Sequence, residues 1–338
     1  MHNFKRVFQV LVLTMATGFL SCAVFAAPPP FAQWLADMKQ EALSEGVSAG
    51  LVAAALNGLE PDPEVINLDK PKNQPEMSES FATYASKRVS ADRIRKGQTM
   101  LVQHYDELKR IGDLYGVAPQ YIVALWGMET NYGGYTGNKD IIRSLATLAW
   151  NGRDGTSPNR AKFFRKELLA TLKIIDAGHF TRADMKGSWA GAFGQVQFMP
   201  TSFLNLADDG DGDGRIDIRN NLSDAFASAA NYLAKSGWNH GERWGREIRL
   251  PAGFNPELVG TGRNLVVWNS EGLKTVSGHP VPVAPNLKAR LLAPDGLSGS
   301  IYLVYNNFDT IKKWNNSDSF ALSVGILADS IEVAVSRR

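Results

Sequence analysis

The sequence is short of the residues and patterns that several enzyme classes need. It contains one cysteine and five histidines, and the histidines show neither HExxH nor another metal-ligand spacing. No nucleophile elbow is present, and no glycine-rich phosphate loop opens a helix. Zinc enzymes, serine hydrolases of the nucleophile-elbow type and nucleotide-dependent enzymes are therefore not predicted.

The sequence also lacks an excess of charge. Its formal net charge is +2, and Lys5 and Arg6 supply two positive charges in a segment that we expect to be removed. A nearly neutral chain has no electrostatic footprint for nucleic acid. Beyond the N-terminal segment, no apolar run is long enough to span a bilayer. The mature chain is thus predicted to bind no nucleic acid and to have no transmembrane segment.

The N-terminus has the composition of a secretory signal. Lys5 and Arg6 precede an apolar run that reaches Phe25, and Ala26 ends a stretch with the spacing of a signal-peptidase site. We therefore expect a signal peptide over residues 1–26 and export of the protein.

A lipobox that ends at Cys22 is the alternative. Phe19 stands where such a motif has leucine, which favours cleavage near Ala26 over lipid anchoring at Cys22. Cleavage removes the single cysteine, so the mature chain would fold on an ordinary core without disulfides.

A glutamate in an apolar helix is the first candidate for chemistry. Pro119 suits the first turn of a helix, in which Ile122, Leu125, Trp126 and Glu129 share one face. Burial disfavours the charged carboxylate, so the pKa of Glu129 is expected to rise, as a general acid requires. A buried glutamate that pairs with an arginine is the structural alternative. The polar residues from Thr130 to Gly134 continue a helix poorly and favour a cleft at its end.

Helical patterns dominate the chain. We predict a mainly α fold, with a helical core at about 80–240. Glycine, proline and β-branched residues then indicate a small strand-containing C-terminal region, an α/β part at about 244–338. Four prolines in residues 58–78 predict an extended segment there.

A second polar motif runs from Ser188 to Pro200. Its glycines and alanines permit close approach of backbones, and serine and glutamine alternate with aromatic residues. Gln197 can both donate and accept hydrogen bonds, which suits sugar hydroxyls and acetamido groups.

The aspartate-rich stretch that begins at Asp209 resembles an EF-hand loop, residues 209–220, and predicts a structural calcium ion. The last position of the loop is Asn220 in place of glutamate, and Asp224 is the nearest substitute. A solvated acidic turn that binds no ion is the alternative. The candidate ligand residues are Asp209, Asp211, Asp213, Arg215, Asp217 and Asp224.

A desolvated glutamate beside a cleft of aromatic, amide and hydroxyl side chains, in an exported protein, predicts cleavage of glycosidic bonds by general-acid catalysis. Standard glycosidases need a second carboxylate across the sugar. Asp140 is the nearest candidate, but it fits better as the N-cap of the following helix.

Five motifs give this chain a family resemblance, and they occur in the order of the membrane-bound B type lytic murein transglycosylases, glycoside hydrolase family 103. The motifs are Glu-Thr-Asn-Tyr-Gly at 129–133, Gly-Ala-Phe-Gly-Gln-Val-Gln-Phe-Met-Pro at 191–200, the aspartate loop, Ala-Asn-Tyr-Leu at 230–233 and Trp-Asn-Asn-Ser at 314–317. The resemblance implies a lysozyme-like transglycosylase fold, no catalytic cofactor, and peptidoglycan glycan strands as the binding partner in the periplasm.

The resemblance also implies roles for single residues. Glu129 would protonate the glycosidic oxygen between N-acetylmuramic acid and N-acetylglucosamine and then deprotonate the C6 hydroxyl of the muramic acid, leaving a 1,6-anhydromuramic end. Ser188, Gln197 and Asn315 would hold the glycan, with Tyr132 beside the acid.

Two other functions stay open on the sequence. A hydrolytic muramidase would share every motif and differ in its nucleophile, which the reaction product reveals. A non-catalytic wall-binding protein would keep the cleft but would gain nothing from a desolvated glutamate.

Overall fold

The computed structural model describes residues 28–73, 79–153 and 155–333. The predicted signal peptide and Cys22 lie outside these residues. The helices are α1 (Phe31–Ser44), α2 (Ala49–Leu56), α3 (Pro63–Leu68), α4 (Phe81–Arg88), α5 (Ala91–Gln103), α6 (Tyr105–Tyr115), α7 (Pro119–Thr130), α8 (Ile141–Asn151), α9 (Pro158–Asp176), α10 (Pro200–Leu206), α11 (Leu222–Lys235), α12 (Leu265–Ser270), α13 (Asn306–Trp314) and α14 (Asp318–Glu332).

Strands are few and short. The strands are β1 (Lys139–Asp140), β2 (Lys186–Gly187), β3 (Gly245–Arg249), β4 (Gly262–Asn264), β5 (Lys274–Thr275), β6 (Lys288–Leu292) and β7 (Ile301–Val304). Strands β1 and β2 pair with each other, and the other five form an antiparallel sheet in the order β4-β6-β7-β3-β5. The mainly α prediction with a small strand-containing region is therefore confirmed.

Two hydrophobic cores fill the molecule. The larger core runs from Trp34 in α1 to Ile331 in α14. A smaller one lies between the sheet and α12, around Trp268 and Leu291, both fully buried. Helices that precede the sheet region in the sequence and helices that follow it share the larger core. The sheet region is therefore an insertion between α11 and α13.

The larger core takes in residues on both sides of the predicted helical core at about 80–240. Met38 and Val65 belong to it before that range, and Phe308 of α13 and Phe320 of α14 belong to it after that range. These contacts join residues far apart in the sequence, so hydrophobic periodicity does not indicate them. The predicted domain limits stay predictions.

The proline-rich segment is also not fully extended. Pro63 stands at the first turn of α3, where its ring is tolerated, and the Asp62 carboxylate accepts hydrogen bonds from the N–H groups of Glu64 and Val65. The N-cap at Asp62 and the favourable place of Pro63 thus allow a short helix in a segment that its prolines predicted to be extended.

Helix α7 passes through the centre of the larger core. Residues Tyr121 to Met128 and Thr130 are all buried, so the helix has no solvent-facing side over this length. A helix that is apolar on every face is stable only when neighbours cover it, and α5, α6, α11 and α14 pack around it. The apolar stripe inferred from the sequence is therefore one sector of a wholly buried helix.

No helix in the described ranges is long and apolar enough to cross a membrane.

Gly325 of α14 tests the packing around this core. A Cβ atom there would lie 2.2 Å from Cδ2 of Trp244, a fully buried side chain, so Gly325→Ala forces the indole to move. We expect the free energy of unfolding to fall by about 1–3 kcal/mol in urea denaturation.

Gly50→Ala is the matched control for this substitution. Gly50 also lies in a helix, but a Cβ atom added there would have no other atom within 4 Å. Alanine there should raise the free energy of unfolding by about 0.5–1 kcal/mol. Equal stability of Gly325→Ala and the wild type would contradict the packing described here.

Candidate active site

Glu129 lies in the last turn of α7. The other nine of the last ten residues of this helix are buried, whereas Glu129 is partly exposed. One of its oxygens, Oε1, accepts a hydrogen bond of 2.8 Å from the indole Nε1 of Trp314. The carboxyl group is thus held at the end of a buried helix while it still reaches the surface. The raised pKa expected for Glu129 stays a prediction.

Trp314 is fixed by two aromatic neighbours. Its ring lies 4.7 Å from the ring of Tyr232 and 5.3 Å from that of Phe198, measured between centroids. The Tyr232 hydroxyl donates a hydrogen bond of 2.6 Å to the main-chain oxygen of Lys313, at the end of α13. Three distant segments therefore fix the direction of the indole N–H that Glu129 accepts.

The chain turns sharply after Glu129. Asn131, Tyr132 and Gly133 have φ values of 52°, 60° and 76°, so three consecutive residues adopt the left-handed conformation. For residues with a side chain this conformation costs of order 1–3 kcal/mol, and it persists only where surrounding contacts impose it. Here the Thr130 hydroxyl accepts the N–H of Gly133 at 3.0 Å, and Lys96 Nζ donates to Asn131 O at 2.8 Å.

The reversed turn carries Tyr132 away from the surface. Its side chain is 5% exposed, its ring packs edge-on against Trp126, and its hydroxyl donates to the main-chain oxygen of Arg93 at 2.9 Å. Burial raises the pKa of the Tyr132 hydroxyl, so the group stays protonated. Tyr132 is thus buried against the helix that carries Glu129, and its role in binding the glycan stays a prediction.

The polar motif 188–200 forms a tight loop. Phe193 and Phe198 exchange two main-chain hydrogen bonds of 3.0 Å. Within this hairpin, Gln197 has a left-handed backbone, and its Nε2 donates to Thr136 O and Gly194 O, both at 3.0 Å. Its Oε1 accepts no hydrogen bond from any residue that the structure describes. Gln197 is partly exposed, so this oxygen can accept a hydrogen bond from a ligand.

Ser188 and Asn315 are also accessible. The Ser188 hydroxyl accepts the N–H of Ala192 at 3.0 Å, which leaves its own proton to donate. Asn315 follows Trp314 directly at the end of α13, and its side chain is exposed. Of the four residues predicted to contact glycan, three therefore offer polar atoms at the surface.

Asp140 does not provide a second catalytic carboxylate. It is the N-cap of α8, where Oδ1 accepts the N–H of Arg143 at 3.1 Å, and Oδ2 accepts a hydrogen bond of 2.7 Å from Arg182. The interpretation of Asp140 as a helix cap is confirmed.

The aspartate loop brings three of its predicted ligands together. Carboxylate oxygens of Asp209, Asp211 and Asp213 lie within 4.8 Å of one another. Backbone N–H groups of Gly214 and Gly212 donate to Asp209, and these bonds lower the pKa of its carboxyl.

The remaining candidate ligands lie around this group. The side chain of Arg215 turns away and donates to the main-chain oxygen of His179, so only its backbone could serve an ion. The Asp217 carboxylate accepts the N–H groups of Arg219 and Asn220 at 3.0 Å.

Asp224 is fully buried beneath the loop. Its two oxygens accept the N–H of Gly210 at 2.8 Å and of Asp217 at 2.6 Å. Burial raises the pKa of its carboxyl, and the negative charges of Asp211 and Asp209 raise it further. A cation beside these carboxylates would remove that repulsion.

Comparison with known proteins identifies the family. A family model described as the transglycosylase SLT domain matches residues 30–329. The chain belongs to this transglycosylase SLT domain family. It is 31% identical over 301 residues to membrane-bound lytic murein transglycosylase B of Escherichia coli strain K12, covering 87% of this chain and 78% of that protein.

Solved transglycosylase structures share the fold. SltB3 from Pseudomonas aeruginosa in complex with NAG-anhNAM-pentapeptide matches with a TM-score of 0.84 and 44% identity, over 89% of this chain and 79% of that one. The Escherichia coli lytic transglycosylase Slt35 in complex with calcium matches with a TM-score of 0.74 and 28% identity, over 92% and 95%. The lysozyme-like transglycosylase fold is thereby confirmed.

The sequence reasoning missed the side chain that contacts the acid. Trp314 belongs to one of the five motifs, but the resemblance assigns the binding role in that motif to Asn315. Its neighbour Tyr232 belongs to another of them, Ala-Asn-Tyr-Leu at 230–233, to which the resemblance assigns no role. The one signal that could have pointed to Trp314 is a large aromatic residue placed next to three polar ones.

Gly133 tests the reversed turn after Glu129. It has a φ of +76°, and an added Cβ would lie 2.6 Å from Oε1 of Gln195. We expect Gly133→Ala to lower the free energy of unfolding by about 1–3 kcal/mol.

The neighbouring Gly134→Ala is the control. The nearest atom to a Cβ at Gly134 is Asn131 O at 3.2 Å, and no left-handed φ is required there. Its effect should stay within about 0.5 kcal/mol in urea denaturation. Two variants of equal stability would mean that the turn is not constrained.

Proposed function

We propose that this chain is a lytic transglycosylase that cleaves the β-1,4 bond between N-acetylmuramic acid and N-acetylglucosamine in peptidoglycan, with formation of 1,6-anhydromuramic ends. The observation that carries the proposal is the single accessible carboxyl group of Glu129 in the otherwise buried end of α7, within hydrogen-bond distance of Trp314. The family membership and the anhydromuramic product bound to SltB3 support the same reaction.

Glu129 supplies both proton transfers in this reaction. Its protonated carboxyl donates a proton to the glycosidic oxygen, the bond from that oxygen to C1 of the muramic acid breaks, and positive charge develops at C1. The Glu129 carboxylate then accepts the proton of the C6 hydroxyl, whose oxygen forms a bond to C1. No water is consumed, and Glu129 ends protonated as it began.

Trp314 has a defined part in this cycle. Its N–H donates to Oε1 and so stabilises the carboxylate that exists between the two transfers. We assign both proton transfers to this carboxyl group. A second carboxylate is not required, because the nucleophile is a hydroxyl of the substrate itself.

Ser188, Gln197 and Asn315 are proposed to hold the glycan. Ser188 can donate and Gln197 can accept through Oε1, which matches the N–H and carbonyl of an acetamido group. The exposed Asn315 side chain can do both. Tyr132 is proposed to support this site through its buried ring, which packs against Trp126 in the same helix as Glu129.

The reaction is tested by mass spectrometry of muropeptides released from purified sacculi. Wild-type protein should release anhydro-ended products, and Glu129→Gln should release none, because the amide keeps the shape but has no acidic proton. Glu257→Gln, at an exposed site in the sheet region, is the matched control and should behave as wild type.

Two results would contradict the proposal. Reducing ends from the wild type would mean that water is the nucleophile, as in a hydrolytic muramidase. Binding to sacculi with no release by the wild type would favour a wall-binding protein without catalysis.

We also infer that the aspartate loop binds a structural calcium ion. The residues fit such an ion, because Asp209, Asp211 and Asp213 present converging carboxylate oxygens. Burial raises the pKa of Asp224 beneath them, and the charges of Asp211 and Asp209 add to this rise. Arg215 would contribute its main-chain carbonyl, and Asp217 and Asp224 would hold the backbone of the loop. The match to an Escherichia coli transglycosylase solved with calcium supports this inference.

Chelation tests the calcium proposal. Removal of calcium by a chelator should lower the Tm of the wild type, and metal analysis of the untreated protein should find calcium. Asp209→Asn should abolish the effect of the chelator, whereas Asp113→Asn, at an exposed Asp that pairs with Lys109, should keep it. An unchanged Tm with no calcium detected would mean that the loop is a solvated turn.

We place the protein in the periplasm as an exported enzyme. The support is the signal-peptide pattern that ends at Ala26, together with the Escherichia coli relative that is named as membrane-bound. Lipid anchoring at Cys22 is the less favoured alternative, and the mass of the exported chain distinguishes the two.

A further inference from the structure

Gln195 joins the end of the catalytic helix to the last residues of the aspartate loop. Toward the helix, its Oε1 accepts the indole N–H of Trp126 at 2.8 Å, and its main-chain oxygen accepts the hydroxyl of Thr130 at 2.8 Å. Toward the other side, its main-chain N donates to Ile218 O at 2.8 Å and its Nε2 donates to Arg219 O at 2.9 Å.

The two helix residues that Gln195 binds lie on either side of Glu129 in the sequence. Trp126 precedes the acid by nearly one turn and Thr130 follows it directly, and these two residues, four apart, lie on the same side of the helix. Contacts at these two positions limit rotation and fraying of the last turn, which is where helices are otherwise least restrained.

Gln195 also supports the strained turn. Its Oε1 lies against Gly133, close enough that no Cβ could fit there. The left-handed residues 131–133 need surrounding contacts to keep their conformation, and the Gln195 side chain packs directly against Gly133, the last of the three.

The opposite anchor of Gln195 is rigid. Ile218 is fully buried, and Arg219 is held by the hydrogen bond of its N–H to Asp217 and by its own contact with Lys186 O at 3.3 Å. Because Gln195 is hydrogen-bonded both to this fixed segment and to the end of α7, it restrains the end of the helix relative to the segment.

We propose that Gln195 is the positioning residue that sets the place of Glu129 relative to Trp314, an inference that rests on the proposed function of Glu129. Gln195 touches neither the Glu129 carboxyl nor the indole of Trp314 in any described contact. It acts through Trp126, Thr130 and Gly133, which fix the last turn from which the acid projects.

The test replaces the amide while keeping the length of the side chain. Gln195→Met removes both side-chain hydrogen bonds, and Gln195→Glu keeps the acceptor for Trp126 but loses the donor to Arg219 O. On soluble glycan strands, we expect kcat to fall roughly 10- to 100-fold for Gln195→Met and less for Gln195→Glu, because small displacements of a catalytic group are costly. KM should change by no more than about twofold, since the groups that hold the glycan are kept.

Gln98→Met is the matched control. Gln98 is also partly buried and also joins two elements, through a hydrogen bond of 2.9 Å from Nε2 to Ser330 O, but it lies between α5 and α14. Gln98→Met should lower the free energy of unfolding about as much as Gln195→Met does, while its kcat stays within about twofold of wild type.

A spectroscopic readout separates positioning from activity. In ¹⁵N-labelled protein, the indole N–H resonances of Trp126 and Trp314 are assigned with Trp126→Phe and Trp314→Phe. Gln195→Met should shift the Trp126 resonance, which loses its acceptor, and also that of Trp314, which Gln195 does not touch. Gln98→Met should shift neither.

The results distinguish failure of this inference from failure of the proposed function. A kcat for Gln195→Met within about twofold of wild type, or a loss equal to that of Gln98→Met, would overturn the positioning role, as would an unmoved Trp314 resonance. If Gln195→Met does not fold, Gln195→Glu carries the same comparisons. If the wild type releases no anhydro product, the proposed function fails, and the Trp314 resonance still tests positioning.

Discussion

The burial of α7 on every face is the constraint on which the rest of the structure depends. A helix with no polar side cannot be left uncovered, so helices from both halves of the chain must pack around it. The sheet region is accommodated between α11 and α13, and the chain returns to complete the cover with α14. Glu129 reaches the surface only where this cover opens, at the last turn.

The return of the chain also completes the site. Trp314 lies 185 residues after Glu129 in the sequence, and its hydrogen bond to the carboxyl is made possible by the packing of α13 and α14 onto the core. Phe198 and Tyr232 fix its ring from two further segments. The same packing that stabilises the fold therefore places the indole donor beside the acid. Substitutions that disrupt the core should also disturb the hydrogen bond between Trp314 and Glu129.

Local features of the site could be predicted from the sequence, and distant contacts could not. Pro119, Glu129 at the helix end and the Asp140 cap follow from short-range rules of helix geometry, and the structure has each of them. The burial of Tyr132 could not be predicted, because it follows from consecutive left-handed residues, which hydrophobic periodicity does not indicate. The contacts of Trp314 with Glu129 and of Gln195 with Trp126 and Thr130 span 65 residues or more, and no local pattern indicates such partners.

One carboxylate suffices in the proposed reaction because the substrate provides its own nucleophile. Digestion of sacculi in water enriched in ¹⁸O tests this most directly, since each muramic acid end formed by hydrolysis takes an oxygen from water. We expect newly formed ends of unlabelled mass that lack the elements of water. Ends that carry ¹⁸O would contradict the proposed reaction and would require a base that activates water opposite Glu129.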